Sequence, residues 1–235
     1  MMKTLNQPTK IKKQKMTMSE RSNTLRAGVL GSNDGILTVV GVLFSVAAAT
    51  TNQFTIFIAG LSDLLACAFS MASGEYASVS SQRDTEKAVV AQEKELIQTN
   101  YADELETVAA YYQDRGVTHE TALDIARELM QKDALGTVIQ IKYNLELGHY
   151  MSPWSAAFSS LVAAASGGIF PLFAMTFLPL SLKWPGTITA VLLAVALTGY
   201  LSAKFGDGSA KTAIIRNIIV GIITMFIHYY VGQLL

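Results

Sequence analysis

The stretch AGVLGSNDGILTVVGVLFSVAAA, residues 27–49, decides the fold. It is long enough to cross a hydrocarbon core, which takes about 20 apolar residues in a helix, and its only charge is Asp34. A charged side chain near the bilayer centre costs roughly 2.5–3.5 kcal/mol even on the lenient insertion scale. Such a cost is usually tolerated for an ion pathway, a proton relay or a metal site. The same pattern recurs in residues 54–72, where Asp63 is the only charge.

Three further blocks complete a count of five spans. Residues 154–182 and 184–203 are uncharged, and residues 217–235 carry only His228 as a titratable base. The 235-residue chain is 51% hydrophobic and 15% charged, with the apolar residues gathered in these blocks. That distribution predicts an all-α integral membrane protein rather than a soluble core. Cys67 is the single cysteine, so neither a disulfide framework nor a cysteine-based zinc site is expected.

Net charge is zero but unevenly placed. Lys3, Lys10, Lys12, Lys13, Lys15, Arg21 and Arg26 precede the first span against one acid, Glu20, while Lys204, Lys211 and Arg216 fall between spans four and five. The positive-inside rule then places the N-terminus in the cytoplasm and the C-terminus opposite. The expected organisation is a basic cytoplasmic tail over residues 1–24 and spans one and two over 25–83. A cytoplasmic acidic helical segment over 84–149 follows, then spans three to five over 150–235.

The 84–149 segment holds 13 of the 18 acidic residues against six basic ones. Its periodicity predicts helices over 84–99, about 102–114, 118–132 and 135–147, with a turn at Arg115–Gly116 and an N-cap at Thr118. Most such acids cover a solvated surface. Glu93, Glu95, Glu104 and Glu106, on two consecutive helices, and Glu146, closing the last helix, are the candidates for more, because carboxylates on facing helices supply the oxygens that hard divalent cations need.

Asp63, Cys67, Met71 and Glu75 are spaced four apart and form one stripe on a helix. Carboxylate oxygen with thioether sulfur tilts preference from magnesium and calcium towards iron, manganese, cobalt or zinc. Cys67 reads as a packing residue. Asp34, between Asn33 and Gly35 with Gly28, Gly31 and Gly41 nearby, lies where small residues let helices approach closely. Ser166-Gly167-Gly168 followed by Pro171 suggests close packing and a local helix break in span three. His228 could relay protons, but Tyr229 and Tyr230 beside it favour an interfacial aromatic belt.

Several of these runs, in order, resemble the vacuolar iron transporter family: LGSNDGI at 30–36, SMASGEYAS at 70–78, SQRD at 81–84 and GGIFPL at 167–172. Residues 216–221 and Gly232 resemble its last helix, so the likeness covers about residue 25 to the C-terminus. The resemblance implies a five-helix homodimer with a cytoplasmic metal-binding domain between helices two and three. It further implies export of Fe²⁺, often with Mn²⁺, in exchange for protons. By motif position Asp34 looks like the helix-one metal carboxylate, Asp63 an acidic position of helix two, Met71 the methionine ligand, and Glu75 the glutamate of the Gly-Glu-Tyr run.

In the acidic segment the family pairs glutamates three apart, whereas Glu93/Glu95 and Glu104/Glu106 are two apart. Glu104 and Glu146 fit directly, Glu93 and Glu95 with a one-residue ambiguity. Lys142 and Tyr143 stand where some members carry methionines.

The expected function is therefore a proton-coupled secondary transporter and not an enzyme. Its partners are divalent metal ions, protons, lipid and a second copy of the chain, with no nucleic acid. No tightly bound cofactor is expected: Fe²⁺ is substrate, with Mn²⁺, Co²⁺ or Zn²⁺ as alternatives. The chain shows no phosphate-binding glycine loop, so an ion gradient supplies the energy. The membrane is the inner cell membrane in a prokaryote and the vacuolar membrane in a eukaryote.

Two rival readings are a membrane-anchored di-iron carboxylate oxidase and a metal sensor that does not transport. The oxidase wants Glu-x-x-His on two helices, and only Glu146-Leu147-Gly148-His149 supplies it. The sensor leaves the acids within the spans unexplained.

Overall fold

The computed structural model describes residues 18–148 and 150–234, with side chains from residue 27 onward. Most of the basic tail expected over residues 1–24 therefore lies outside the described residues, as does His149. The described chain is helical: α1 (Met18–Ala49), α2 (Gln53–Thr99), α3 (Tyr101–Gln113), α4 (His119–Tyr143), α5 (Pro153–Phe177), α6 (Lys183–Phe205) and α7 (Ala210–Leu234). Five helices are long and apolar enough to cross a membrane: Ala27–Ala49 of α1, then α2, α5, α6 and α7. These spans mark an integral membrane protein.

The helix ends depart from the sequence reading in four places. α2 does not stop at Ala72 and restart at Asp84. It runs 47 residues unbroken, because Gly74 is the only weak helix former near the expected boundary and one glycine costs only about 1 kcal/mol. α5 keeps Pro171 inside the helix rather than breaking there, and ends at Phe177, ahead of Pro179. α7 begins at Ala210, which draws Lys211 and Arg216 into its first turns instead of a loop. α4 ends at Tyr143, where Asn144 takes a left-handed conformation (φ 54°), so Glu146 follows the helix rather than closing it.

The chain divides into two compact units, one comprising residues up to Met71 together with Ser159 onward, the other Ala72–Phe158. In the first, α1 is the central helix. Its Ile36, Val39, Val40, Leu43 and Phe44 are buried against Ile56 and Leu64 of α2, Leu172 and Met175 of α5, Val191 and Val195 of α6, and Met225 of α7. Phe44 meets Trp184 edge-on at 5.1 Å. The large side chains left outside, among them Phe170, Phe173, Leu193, Ile223 and Phe226, suit a lipid-facing surface.

Backbones touch where α1 crosses α5. A Cβ on Gly35 would strike the Ala164 carbonyl, one on Gly167 the Ser32 carbonyl, and one on Gly168 would come within 2.9 Å of Gly35 O. The Ser32 hydroxyl donates to Ala163 O across this crossing at 2.9 Å. On the other side of α1, Asn33 Oδ1 lies 3.2 Å from the Thr198 hydroxyl of α6 and accepts from Asn217 Nδ2 of α7 at 3.4 Å. Small residues and side-chain hydrogen bonds take over helix association where lipid is as apolar as leucine.

In the second unit α3 and α4 form a hairpin that buries Val108, Ala109, Ala122, Ala126, Met130 and Val138. The turn falls at the expected place, with Gly116 at φ +89°. Thr118 is the N-cap residue by position, although its hydroxyl bonds Thr121 instead of a backbone amide. Asp133 breaks α4 (φ −157°, ψ 87°), and its carboxylate accepts the Gly136 amide at 2.9 Å, so it caps the second half as the sequence break at 132–135 anticipated.

Gly35→Ala is expected to destabilise the protein by about 1–3 kcal/mol, the usual cost of overpacking, because backbone must move. Gly28→Ala, on the same helix with open space around it, is expected to change stability by no more than about 1 kcal/mol, in the stabilising direction. Thermal melts of the two variants in detergent, read by size-exclusion chromatography, check this contrast.

Candidate functional site

The α1–α5 crossing fixes Asp34, one residue before Gly35 and one after the hydrogen-bonded Asn33. Asp34 is half-buried, and its Oδ2 accepts a long contact from the Cys67 thiol of α2 at 3.7 Å. Cys67 therefore is not only packing. Asp63, one turn earlier on α2, is also half-buried, and its Oδ2 is fully shielded with no hydrogen-bond partner among the described residues. It lies close enough to Asp34, Thr38 and His228 to interact with each. A shielded oxygen without a donor is costly unless something fills it.

Met71 follows Cys67 by one turn and is half-buried. Glu75 is half-buried one turn further on. Among the described residues, no three His, Cys, Asp or Glu side chains gather closely enough to hold a metal ion. The two spans thus bring Asp34, Asp63 and Cys67 together as neighbours without closing them into a cage.

His228 faces inward. Its ring abuts Gly41, where an added Cβ would come within 2.9 Å of Nε2, and its Nδ1 lies 3.1 Å from the Ser45 hydroxyl. Gly41 leaves a ring-sized recess for it on α1, a pairing that no local pattern around residue 228 reveals.

In the second unit the expected glutamates separate into two kinds. Glu93 and Glu104 are buried, 1% and 6% exposed, and converge on one ammonium. Lys142 Nζ donates to Glu93 Oε2 at 3.0 Å and to Glu104 Oε1 at 2.8 Å, and lies 2.7 Å from Glu104 Oε2 in an ion contact without hydrogen-bond alignment. The Tyr143 phenol donates to Glu93 Oε1 at 2.7 Å. Glu95, Glu106 and Glu146 are exposed, and Glu106 pairs only distantly with His119 at 3.8 Å. Glu146 borders a surface depression with Tyr112, Gln140 and Ile141.

Burial alone would push the Lys142 ammonium down, but its hydrogen bonds to Glu104 and Glu93 outweigh that and hold its pKa above the ordinary lysine range. The hydrogen bond to Glu93, then burial, pushes the Tyr143 phenol up. Sequence reading missed this cluster because Lys142 lies 49 and 38 residues from its partners. Its signal was present, a lysine at a position where a ligand was expected.

The sequence profile described as the VIT family matches residues 25–233. A protein named vacuolar iron transporter from Acanthamoeba castellanii is 36% identical over 211 residues, covering 89% of this chain and 78% of its own. Vacuolar iron transporter homolog 3 of Arabidopsis thaliana is 29% identical over 212 residues, covering 90% and 82%. Vacuolar iron transporter homolog 2 of Oryza sativa is 28% identical over 218 residues, covering 91% and 92%.

Lys142→Met is expected to cost about 3–5 kcal/mol of stability, as removal of one partner from a buried ion pair does. Adding Glu93→Gln and Glu104→Gln should recover most of it. The raised folded pKa values of Lys142 and Tyr143 mean that this contribution is complete below the unfolded values near pH 10 and is lost as pH rises through the folded ones. Melts of the wild-type chain at pH 8 and pH 11 should show a drop, and the triple variant a smaller one.

Proposed function

Since the chain belongs to the VIT family, we propose that it is a secondary transporter exporting divalent iron, and manganese with it, from the cytoplasm in exchange for protons. The observation that carries this reading is the shielded Asp63 oxygen, without a hydrogen-bond partner among the described residues, beside a second carboxylate, Asp34, inside membrane-spanning helices. The printed names of the relatives supply the metal, iron.

Two neighbouring carboxylates in an apolar setting cannot both remain charged without a cation between them. A dication satisfies both, and so do protons, which gives the exchange its chemistry. In the ionised state Asp34 and Asp63 bind M²⁺ through oxygen, and Met71 adds a softer ligand that favours first-row transition metals over magnesium and calcium. Protonation from the far side removes the negative charge and releases the ion. Thr38 and His228, both near Asp63, are the groups through which a proton reaches it.

Two carboxylates and a thioether fall short of the six ligands such ions commonly take. A homodimer, with a second copy supplying the same set, completes the coordination. The basic N-terminus and the acidic α3–α4 segment face the cytoplasm in this reading, following the lysine and arginine bias. The exposed Glu95, Glu106 and Glu146 raise the local concentration of cations there, and Glu75 stands on α2 beyond Met71.

Proteoliposomes with an acidic lumen, their cytoplasmic face outward, should accumulate Fe²⁺ and Mn²⁺ and should stop when the pH gradient is collapsed. Asp34→Asn and Asp63→Asn should reduce uptake to the protein-free background. Uptake that is indifferent to the gradient, or that survives Asp34→Asn, would overturn the proposal.

A further inference from the structure

Every carboxylate oxygen of Glu93 and Glu104 is already engaged. Lys142 Nζ contacts three of the four, at 3.0, 2.8 and 2.7 Å, and the Tyr143 hydroxyl takes the fourth at 2.7 Å. The carboxylates are nearly sealed from solvent, whereas the Lys142 side chain is 21% exposed. The ammonium thus sits at the focus of two buried carboxylates and reaches it from the solvent side on a flexible four-carbon stem.

We propose that Lys142 is a tethered counter-ion whose ammonium fills the cation position between Glu93 and Glu104, excluding divalent metal from this unit for as long as it stays in place.

Both occupants need the same oxygens. A first-row dication or magnesium would draw them in to about 2.0–2.2 Å, which leaves no room for an ammonium at the same focus. Charge is equally exclusive. The pair carries two negative charges, which one dication neutralises, and a retained ammonium would then be a buried charge without a partner. Metal therefore binds here only in the fraction of molecules whose Lys142 has swung out, and its apparent affinity is lowered by that fraction. The tether makes Lys142 an intramolecular competitor at high effective concentration. This inference is independent of transport through Asp34 and Asp63.

The test uses the full chain in detergent, in an Asp34→Asn, Asp63→Asn background that removes both membrane carboxylates, with Mn²⁺ as the probe and its paramagnetic resonance signal reporting free ion. With Lys142 present, no bound Mn²⁺ should depend on Glu104. Lys142→Met should gain one Mn²⁺ per chain, lost again on adding Glu104→Gln, and Mn²⁺ should raise its melting temperature but not that of the parent. Lys142→Arg, which keeps the cation, should gain none. A Glu104-dependent Mn²⁺ in the chain that retains Lys142 would overturn the proposal, as would a folded Lys142→Met chain that binds none. Should Lys142→Met fail to fold, the parent with and without Glu104→Gln decides. Equal Mn²⁺ binding upholds the exclusion, and a loss on Glu104→Gln overturns it.

Discussion

The approach of two backbones, α1 to α5 across Gly35, Gly167 and Gly168, is the constraint on which the membrane unit depends. Without side chains in the way, the Ser32 hydroxyl reaches the Ala163 carbonyl, and residues 32–35 are held from one side. Asn33 is held from the other, by Thr198 and Asn217. Asp34 stands between these anchors, so its carboxylate has little freedom to retreat to an interface. A lone charge on a loosely packed helix could snorkel away from the hydrocarbon. Here the helix cannot slide or rotate without breaking contacts on both faces.

The two units treat buried negative charge in opposite ways. Glu93 and Glu104 have a positive charge built in, on Lys142, and Tyr143 adds a donor to Glu93. That one ammonium holds both carboxylates in place and lets the cluster act as structure. Asp34 and Asp63 have a thiol, a hydroxyl and an imidazole nearby, and one shielded oxygen of Asp63 has no hydrogen-bond partner among the described residues. A carboxylate pair without a lysine or arginine of its own suits a passing ion, whereas one that carries its own cation does not. That contrast supports the proposed transport role of the membrane carboxylates and a more conditional role for the acidic segment.

Much of this was legible in the sequence because it is local or periodic. Uncharged blocks of span length, the glycine at the α3–α4 turn and the lone aspartates all register within a window of a few residues. The resemblance to the family came from short runs of the same kind. What escaped depends on partners far apart in the chain. Lys142 stands out in sequence only as a departure from a ligand position, and its two carboxylate partners on α2 and α3 emerge only in the fold, as does the recess that Gly41 leaves for His228. Pro171 does not break α5 because a proline removes only one backbone hydrogen bond, a loss that helices in a membrane bundle tolerate. The length of α2 escaped for another reason: a change from apolar to polar composition marks where a helix leaves lipid, not where it ends.

The central claim is that the membrane carboxylates trade protons for a dication. The direct measurement is a count of protons released when Mn²⁺ is added to the detergent-solubilised chain in weakly buffered, mildly acidic solution. The account predicts a release that follows Mn²⁺ binding and falls away in Asp63→Asn and in Asp34→Asn. Mn²⁺ bound with no proton released, or a release unchanged in both variants, would contradict it.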